Sequence, residues 1–399
     1  MLELKAKRDR FGPKILVIGV GGGGNNAVGR MMESHVQDVD FVAVNTDVRV
    51  LEDCPVVTKV QIGEHLTGGY GAGADPHVGE QAAMENEDDI RQLIENYDMV
   101  IITCGMGGGT GTGASPVIAG LAQEKNILVV GVVTLPFKFE SEPRTLAAQE
   151  GVEKLKKKVD TLLVIPNDKL LKLSDKPLKL DEAFIMADSV LQYAIEGITN
   201  IVFNGGMVNL DFNDLRTILR GKGIGHLGVG IVGDGEPLMD AVKQAVNSPL
   251  LDTSIEGASN ILLNTSGNVD IMSLNEAINS VREKAGKGVN LLWGTVGNKE
   301  EVDNRVVVTI IATGMPDSKY ESQEKIPSPK DRYGRYFLKE SQTIGDSFQV
   351  AVQSGVAEAT GAPDYQKLNQ TVTPEIKIPS FLANWNHNSA DSEEPLPTC

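Results

Sequence analysis

Cysteine is scarce in this sequence, and its histidines form no grouping. Cys54, Cys104 and Cys399 are widely spaced, odd in number and form no CxxC pair. That pattern excludes a disulfide framework and leads us to expect a reducing compartment, the cytoplasm. The five histidines (His35, His65, His77, His226 and His387) make no HExxH and no zinc-ligand spacing, so no protein-built metal site is expected. Basic residues are outnumbered, 37 Lys and Arg against 54 Asp and Glu, and the formal net charge is −17. A broad nucleic-acid footprint needs clustered Lys and Arg and is therefore excluded. Long apolar runs are missing too. Stretches 127–133 and 306–312 fall far short of the ~18 residues a membrane span requires, so they read as buried strands and no direct membrane insertion is expected. Residues 1–11 are polar and basic with no apolar core, which gives no sign of a signal peptide.

Glycine is what the sequence has in excess, 43 of 399 residues, much of it clustered. Clusters of this kind suggest sites lined by backbone rather than general flexibility. From residue 14 short Val/Ile/Leu runs at 15–20, 41–45, 99–103, 128–134 and 161–166 alternate with amphipathic stretches such as 80–96 and 144–159. Such alternation predicts an α/β fold, a mostly parallel Rossmann-like sheet with helices on both faces. The expected organisation is a first domain at 12–180, a connecting helix at 181–206 and a smaller mixed α/β domain at 207–316. Beyond it, a linker at 317–374, rich in Gln, Ser, Lys, Pro and Glu, reads as disordered, and a short apolar cluster returns at 375–385.

Two glycine clusters each follow a strand and precede a helical stretch. The first, 19–26, contains GxGxxG at Gly19, Gly21 and Gly24, and Asp47 lies 23 residues after Gly24 at the end of the next strand. Alone it reads as a dinucleotide-binding turn of an NAD(P)-dependent oxidoreductase, or as a tight turn needing glycine for packing. The second, GMGGGTGTG at 105–113, has six glycines in nine residues, with hydroxyls on Thr110 and Thr112. Its backbone can approach a polyphosphate closely and aim successive N–H groups at it. It lacks Gly-Lys-Ser/Thr, so it is no Walker A loop, and a simple dinucleotide fold has no use for it.

GGGTGTG at 107–113 resembles the signature of the tubulin/FtsZ family, in particular bacterial cell-division GTPases, whose own version has serine for the second threonine. The likeness continues with GGGGNN at 21–26, NTD at 45–47, GAGADPHVG at 71–79, PFKFE at 136–140, IPND at 165–168 and NLDFNDLRT at 209–217, in the expected order and covering about residues 12–316. It implies a GTPase domain, a central helix, a smaller second domain and a tail with a docking peptide. It also implies GTP hydrolysis to GDP with Mg²⁺, head-to-tail self-assembly into filaments, and a ring scaffold at the mid-cell division site.

Carried onto matching positions, the resemblance places Gly22, Gly23, Gly24, Asn25, Asn26, Gly109, Thr110 and Gly111 on the nucleotide. Glu140 and Arg144 would lie near ribose and phosphates, and Asn167, Phe184 and Asp188 would hold the base. A carboxylate can accept from guanine N1–H and N2–H₂, and adenine offers no such pair. Asn209, Asp211 and Asp214 would form the loop that one subunit inserts against its neighbour's nucleotide to polarise the attacking water. On the residues alone, Asp211 or Asn213 reads simply as a helix cap. The cluster at 375–385 resembles a peptide that binds a membrane-tethering protein such as FtsA, but it lacks the usual basic residues after Leu382. A GTP-binding scaffold that does not hydrolyse is the remaining alternative.

Overall fold

The computed structural model describes residues 12–33, 36, 38–172, 179–203, 211–233, 235–250, 255–267, 269–296 and 305–315. The chain divides at residue 321 into two units, and every described residue belongs to the first. The expected linker, the docking peptide and Asn209 lie outside the described residues.

Six strands, β1 (Ile15–Val20), β2 (Asp40–Asn45), β3 (Thr58–Gln61), β4 (Met99–Gly105), β5 (Leu128–Leu135) and β6 (Thr161–Pro166), run parallel in the order β3-β2-β1-β4-β5-β6. All six residues of β1 are buried, as the sheet's two covered faces require. Successive side chains point to opposite faces, so Ile15 and Val17 join one core while Leu16 and Ile18 join another. The first core includes α1 (Gly21–Glu33). Between β2 and β3 lies α2 (Val48–Asp53), and α3 (Glu64–Thr67), α4 (Pro76–Glu85) and α5 (Glu87–Ile94) precede β4. The second core includes α4, α5, α6 (Thr110–Glu124) and α7 (Glu142–Lys156). A single turn, α8 (Asn167–Leu170), leads from β6 towards α9 (Leu180–Phe203).

The stretch at 80–96 was expected as one helix and is two. Asn86, at φ −110° and ψ 30°, separates them. Its Oδ1 accepts from Gly63 N at 2.8 Å and its Nδ2 donates to Asp89 Oδ2 at 2.9 Å. The amide competes with the helix for local partners and wins.

After α10 (Phe212–Leu219) comes β7 (Gly223–Val232), which belongs to both halves of the sheet. Its first residues pair in parallel with β6, and its remainder pairs antiparallel with β10 (Val306–Thr313). The sheet continues through β8 (Asn260–Ser266) to β9 (Asn290–Val296), covered by α11 (Leu238–Val246) and α12 (Ile271–Ala285) around a third core. Glycines at 223, 225, 228 and 230 weaken the strand pattern in sequence. A Cβ at Gly228 or Gly230 would collide with the carbonyls of Ala245 or Ala241, so these glycines let α11 lie directly on the strand. The central helix α9, 24 residues and about 36 Å long, runs from the first half of the sheet to the second, where Gly197 packs on Thr309.

Candidate functional site

The strand order β3-β2-β1-β4-β5-β6 reverses direction between β1 and β4, and ligands on such sheets bind at that crevice, beyond the carboxyl ends of the strands. Both glycine clusters sit there. Helix α1 begins inside the first, at Gly21, and α6 inside the second, at Thr110, whereas the sequence pattern placed each helix after its cluster. Both helix N-termini, with their unpaired N–H groups, therefore open on one cleft of about 340 Å³.

Some of these glycines are explained by packing alone. A Cβ on Gly24 would stand 2.5 Å from the Thr103 carbonyl oxygen, and one on Gly21 2.8 Å from the Gly111 nitrogen. Gly79 lies against the carbonyl of Gly109, and Gly113 against that of Pro76, so α4 and α6 meet backbone to backbone. Gly22 and Gly108 differ. A Cβ on either would meet nothing within 4 Å, and neither has a left-handed φ. Nothing among the described residues requires glycine there. A polyphosphate lying close to the backbone would, and the cradle fits one.

Of the residues expected on the nucleotide, Gly22, Gly23, Asn26, Gly109, Thr110 and Gly111 line the glycine end of the cleft. Gly24 and Asn25 stand behind that wall. Asn25 is buried, its Nδ2 donates to Gly19 O at 2.8 Å, and its Oδ1 accepts from Asn45 Nδ2 at 2.7 Å. Its contribution is to hold the loop in shape. Hydroxyls of Thr110 and Thr46 lie 2.7 Å apart, and Thr112 Oγ1 accepts from Gly107 N at 2.8 Å, closing the second loop on itself.

Glu140, Arg144, Asn167, Phe184 and Asp188 line the remainder. Glu140 pairs with Arg144 at 2.9 Å and accepts from Phe137 N at 2.9 Å. Phe137 also meets Phe184 edge-on, centroids 5.4 Å apart, leaving Phe184 39% exposed with a face available to a planar ring. Asn167 is buried, and its Oδ1 has no hydrogen-bond partner among the described residues. An orphaned acceptor at that depth fits a purine donor. Burial pushes the Asp188 carboxyl up to about 6, against the pull of the Arg30 guanidinium. Cys104, just ahead of the second loop, is pushed up to about 12 by burial and stays an inert thiol.

Asp47, the acid that would hold a dinucleotide ribose, instead caps α2 by accepting from Arg49 N at 3.0 Å and does not line the cleft. Asp211 likewise caps α10 through Asn213 N at 3.3 Å, and Asp214 is exposed in the first turn of that helix. Neither reaches the cleft of its own chain. Arg216 of α10 donates to the carbonyl of Asn126, just before β5, and Gly221 N donates to Asp160 Oδ1, just before β6. The helix thus rests at the amino ends of β5 and β6, on the edge of the parallel sheet opposite the one where the glycine loops follow β1 and β4.

Residues 14–175 match the model of the Tubulin/FtsZ family, GTPase domain, and residues 223–316 match that of the FtsZ family, C-terminal domain. An empty FtsZ dimer from M. jannaschii is 38% identical with a TM-score of 0.73, over 77% of this chain and 89% of that one. The chain belongs to the tubulin/FtsZ family. More distant structures share the fold: CetZ1 of Haloferax volcanii, a GDP-bound monomer, at 24% identity and TM-score 0.64 over 76% of this chain and 95% of that one. CetZ2 from the same organism, a GTPγS-bound protofilament, stands at 21% and 0.63 over 82% and 99%.

As a tubulin/FtsZ protein the chain is a GTPase. Backbone N–H groups of two loops and two helix N-termini open on this cleft, an arrangement suited to taking up phosphate charge. Sequence reasoning missed Arg30, which also lines the cleft. Its signal was spacing, since Gly23, Asn26 and Arg30 fall on one face of a tubulin/FtsZ α1.

Two substitutions separate cradle from packing. Gly22→Ala is expected to leave thermal stability unchanged and to weaken GTP binding about tenfold or more, since the new methyl occupies the cradle. Gly113→Ala is expected to destabilise the fold by ~1–3 kcal/mol, the usual cost of overpacking. Melting curves paired with nucleotide titration check both, and full GTP affinity in Gly22→Ala would remove the phosphates from that end.

Proposed function

We propose that this GTPase forms filaments by head-to-tail stacking. Each copy lends Asn209, Asp211 and Asp214 to the GTP of its neighbour, and the polymer scaffolds the ring at the mid-cell division site in the cytoplasm, as in the bacterial FtsZ proteins the sequence resembles. The observation that carries this reading is the polarity of the subunit. The glycine cradle lies at the carboxyl ends of the parallel strands, while Asp211 and Asp214 stand with α10 at their amino ends. Carboxylates and cradle can meet only across a contact between copies. A heterologous contact of that kind propagates into an open filament when its rotation does not close.

Self-association has counterparts in the M. jannaschii FtsZ dimer and the CetZ2 protofilament. In the joined site the carboxylates of one copy position the attacking water, and the glycine-loop N–H groups of the other take up the phosphate charge. Mg²⁺ belongs on the phosphates, where such ions keep several waters and take one or two carboxylates. Guanine is the base, held by Asp188, Asn167 and Phe184.

The test is phosphate release per subunit with GTP and Mg²⁺ across protein concentration, alongside light scattering. Specific activity should rise steeply above a critical concentration, and a flat rate would defeat the shared site. The segment at 375–385 is assigned to a membrane-tethering partner such as FtsA, which a short apolar peptide binds at modest affinity because it must be ordered on binding. Deleting residues 375–399 should abolish that capture while scattering stays intact, and lost assembly would show that the segment has another task.

A further inference from the structure

Arg30 lines the cleft, yet the phosphate and water chemistry above gives it no role. Gly23, Asn26 and Arg30 share one face of α1, so that face runs along the cleft for about 10 Å, from the glycines to the base end. There Arg30 Nε lies 3.0 Å from Oδ2 of Asp188 on α9. The arginine side chain is 40% exposed and the aspartate 13%, so a solvated cation reaches in to a carboxylate that protein surrounds.

We propose that Arg30 sets the base specificity of the cleft by holding Asp188 ionised and oriented, so that the carboxylate accepts from guanine. The inference rests on the guanine-binding reading above. An ionised carboxylate only accepts, whereas a protonated one donates through one oxygen. Guanine presents two donors, N1–H and N2–H₂. Adenine presents an acceptor, N1, beside its N6–H₂ donor, and that pattern matches the protonated acid. The proton on Asp188 therefore decides which purine fits. Burial favours that proton, and Arg30 opposes it.

The elements packed on α9 carry further titratable groups, Glu33 on α1, Asp168 and Lys169 on α8 and His226 on β7, and α9 itself carries Asp181, Glu182 and Glu196. Across the cleft, Glu140 and Arg144 neutralise each other. Arg30 is the group whose charge acts on Asp188. It is a positioning residue, acting on the base through its partner.

The experiment displaces a fluorescent GDP analogue with GTP and with ATP, between about pH 5.5 and 8.5, on the full chain and on Arg30→Met and Arg30→Lys. In Arg30→Met the GTP-to-ATP affinity ratio should fall about tenfold near pH 6.5 and recover as the pH rises and Asp188 ionises unaided. Arg30→Lys should keep the unmodified profile. An unchanged ratio in Arg30→Met overturns the proposal. So does an equal, pH-independent loss for both nucleotides, which would put Arg30 on the phosphates or in the fold. Should Arg30→Met not fold, Arg30→Gln carries the same comparison. ATP binding as tightly as GTP to the unmodified protein would instead overturn the guanine reading itself.

Discussion

Asp214→Ala is expected to bind GTP and to assemble, yet to turn over on the order of 10²–10⁴ times more slowly, the usual worth of a positioned acid–base group. The substitution is clean because Asp214 is exposed in the first turn of α10 and its side chain is not the cap. Its loss costs the helix roughly 0.3–1 kcal/mol of dipole interaction. Asp211 is a poorer probe, since its side chain caps the helix and removing it costs about 1 kcal/mol of fold as well. Filaments of Asp214→Ala should also outlast those of the unmodified protein, because their GTP stays whole. Phosphate release and scattering decay, followed together, read both effects. Full activity in the variant would show that the acid at the far pole takes no part.

A second large effect is expected at Asp188, with opposite signs for stability and function. The carboxyl titrates from about 3.8 when unfolded to about 6 in the fold, chiefly because it is buried. Between those values the folded chain keeps a proton that the unfolded chain has lost. Stability therefore falls as pH rises from about 4 to about 6 and stays lowered above, by about 3 kcal/mol in all. Asp188→Asn should then be more stable than the unmodified protein at neutral pH without nucleotide, by up to about 3 kcal/mol, with the gain fading near pH 4. The same change should cost roughly 1–3 kcal/mol of preference for GTP over ATP, the penalty of a mispaired buried group. Denaturant melts at two pH values, with and without GTP, check the pair. An Asn variant that is less stable at neutral pH would mean that Arg30 repays the whole cost of burying the charge.

The sheet was readable where side chains carried the signal. β1, β4 and β5 are runs of Val, Ile and Leu long enough to bury both faces, and their alternation with helices fixed a parallel arrangement. Where glycine replaced side chains, legibility failed. α1 and α6 begin inside glycine runs that propensity disfavours, because the packing of Gly24 on Thr103 and Gly113 on Pro76 outweighs propensity. The glycine end of the cleft could be read from local order, because each loop is contiguous. Its other end could not, since Asn167 comes from α8 and Phe184 and Asp188 from α9, and these are joined only by tertiary packing. Resemblance supplied them. Arg30 escaped both routes, because its spacing from Gly23 and Asn26 marks a helix face without telling a cleft wall from a solvated surface.

The contact between α4 and α6 has a mechanical consequence. Side chains between two helices act as cushions, since rotamers can change and absorb a shift of an ångström before it travels further. Gly79 against Gly109 and Gly113 against Pro76 leave no cushion, only main chain on main chain. Whatever displaces the second glycine loop must carry Asp75, the cap of α4, and the preceding turn with Tyr70, 80% exposed, along with it. The outer surface of the subunit then reports, without slack, what lies against its innermost amides.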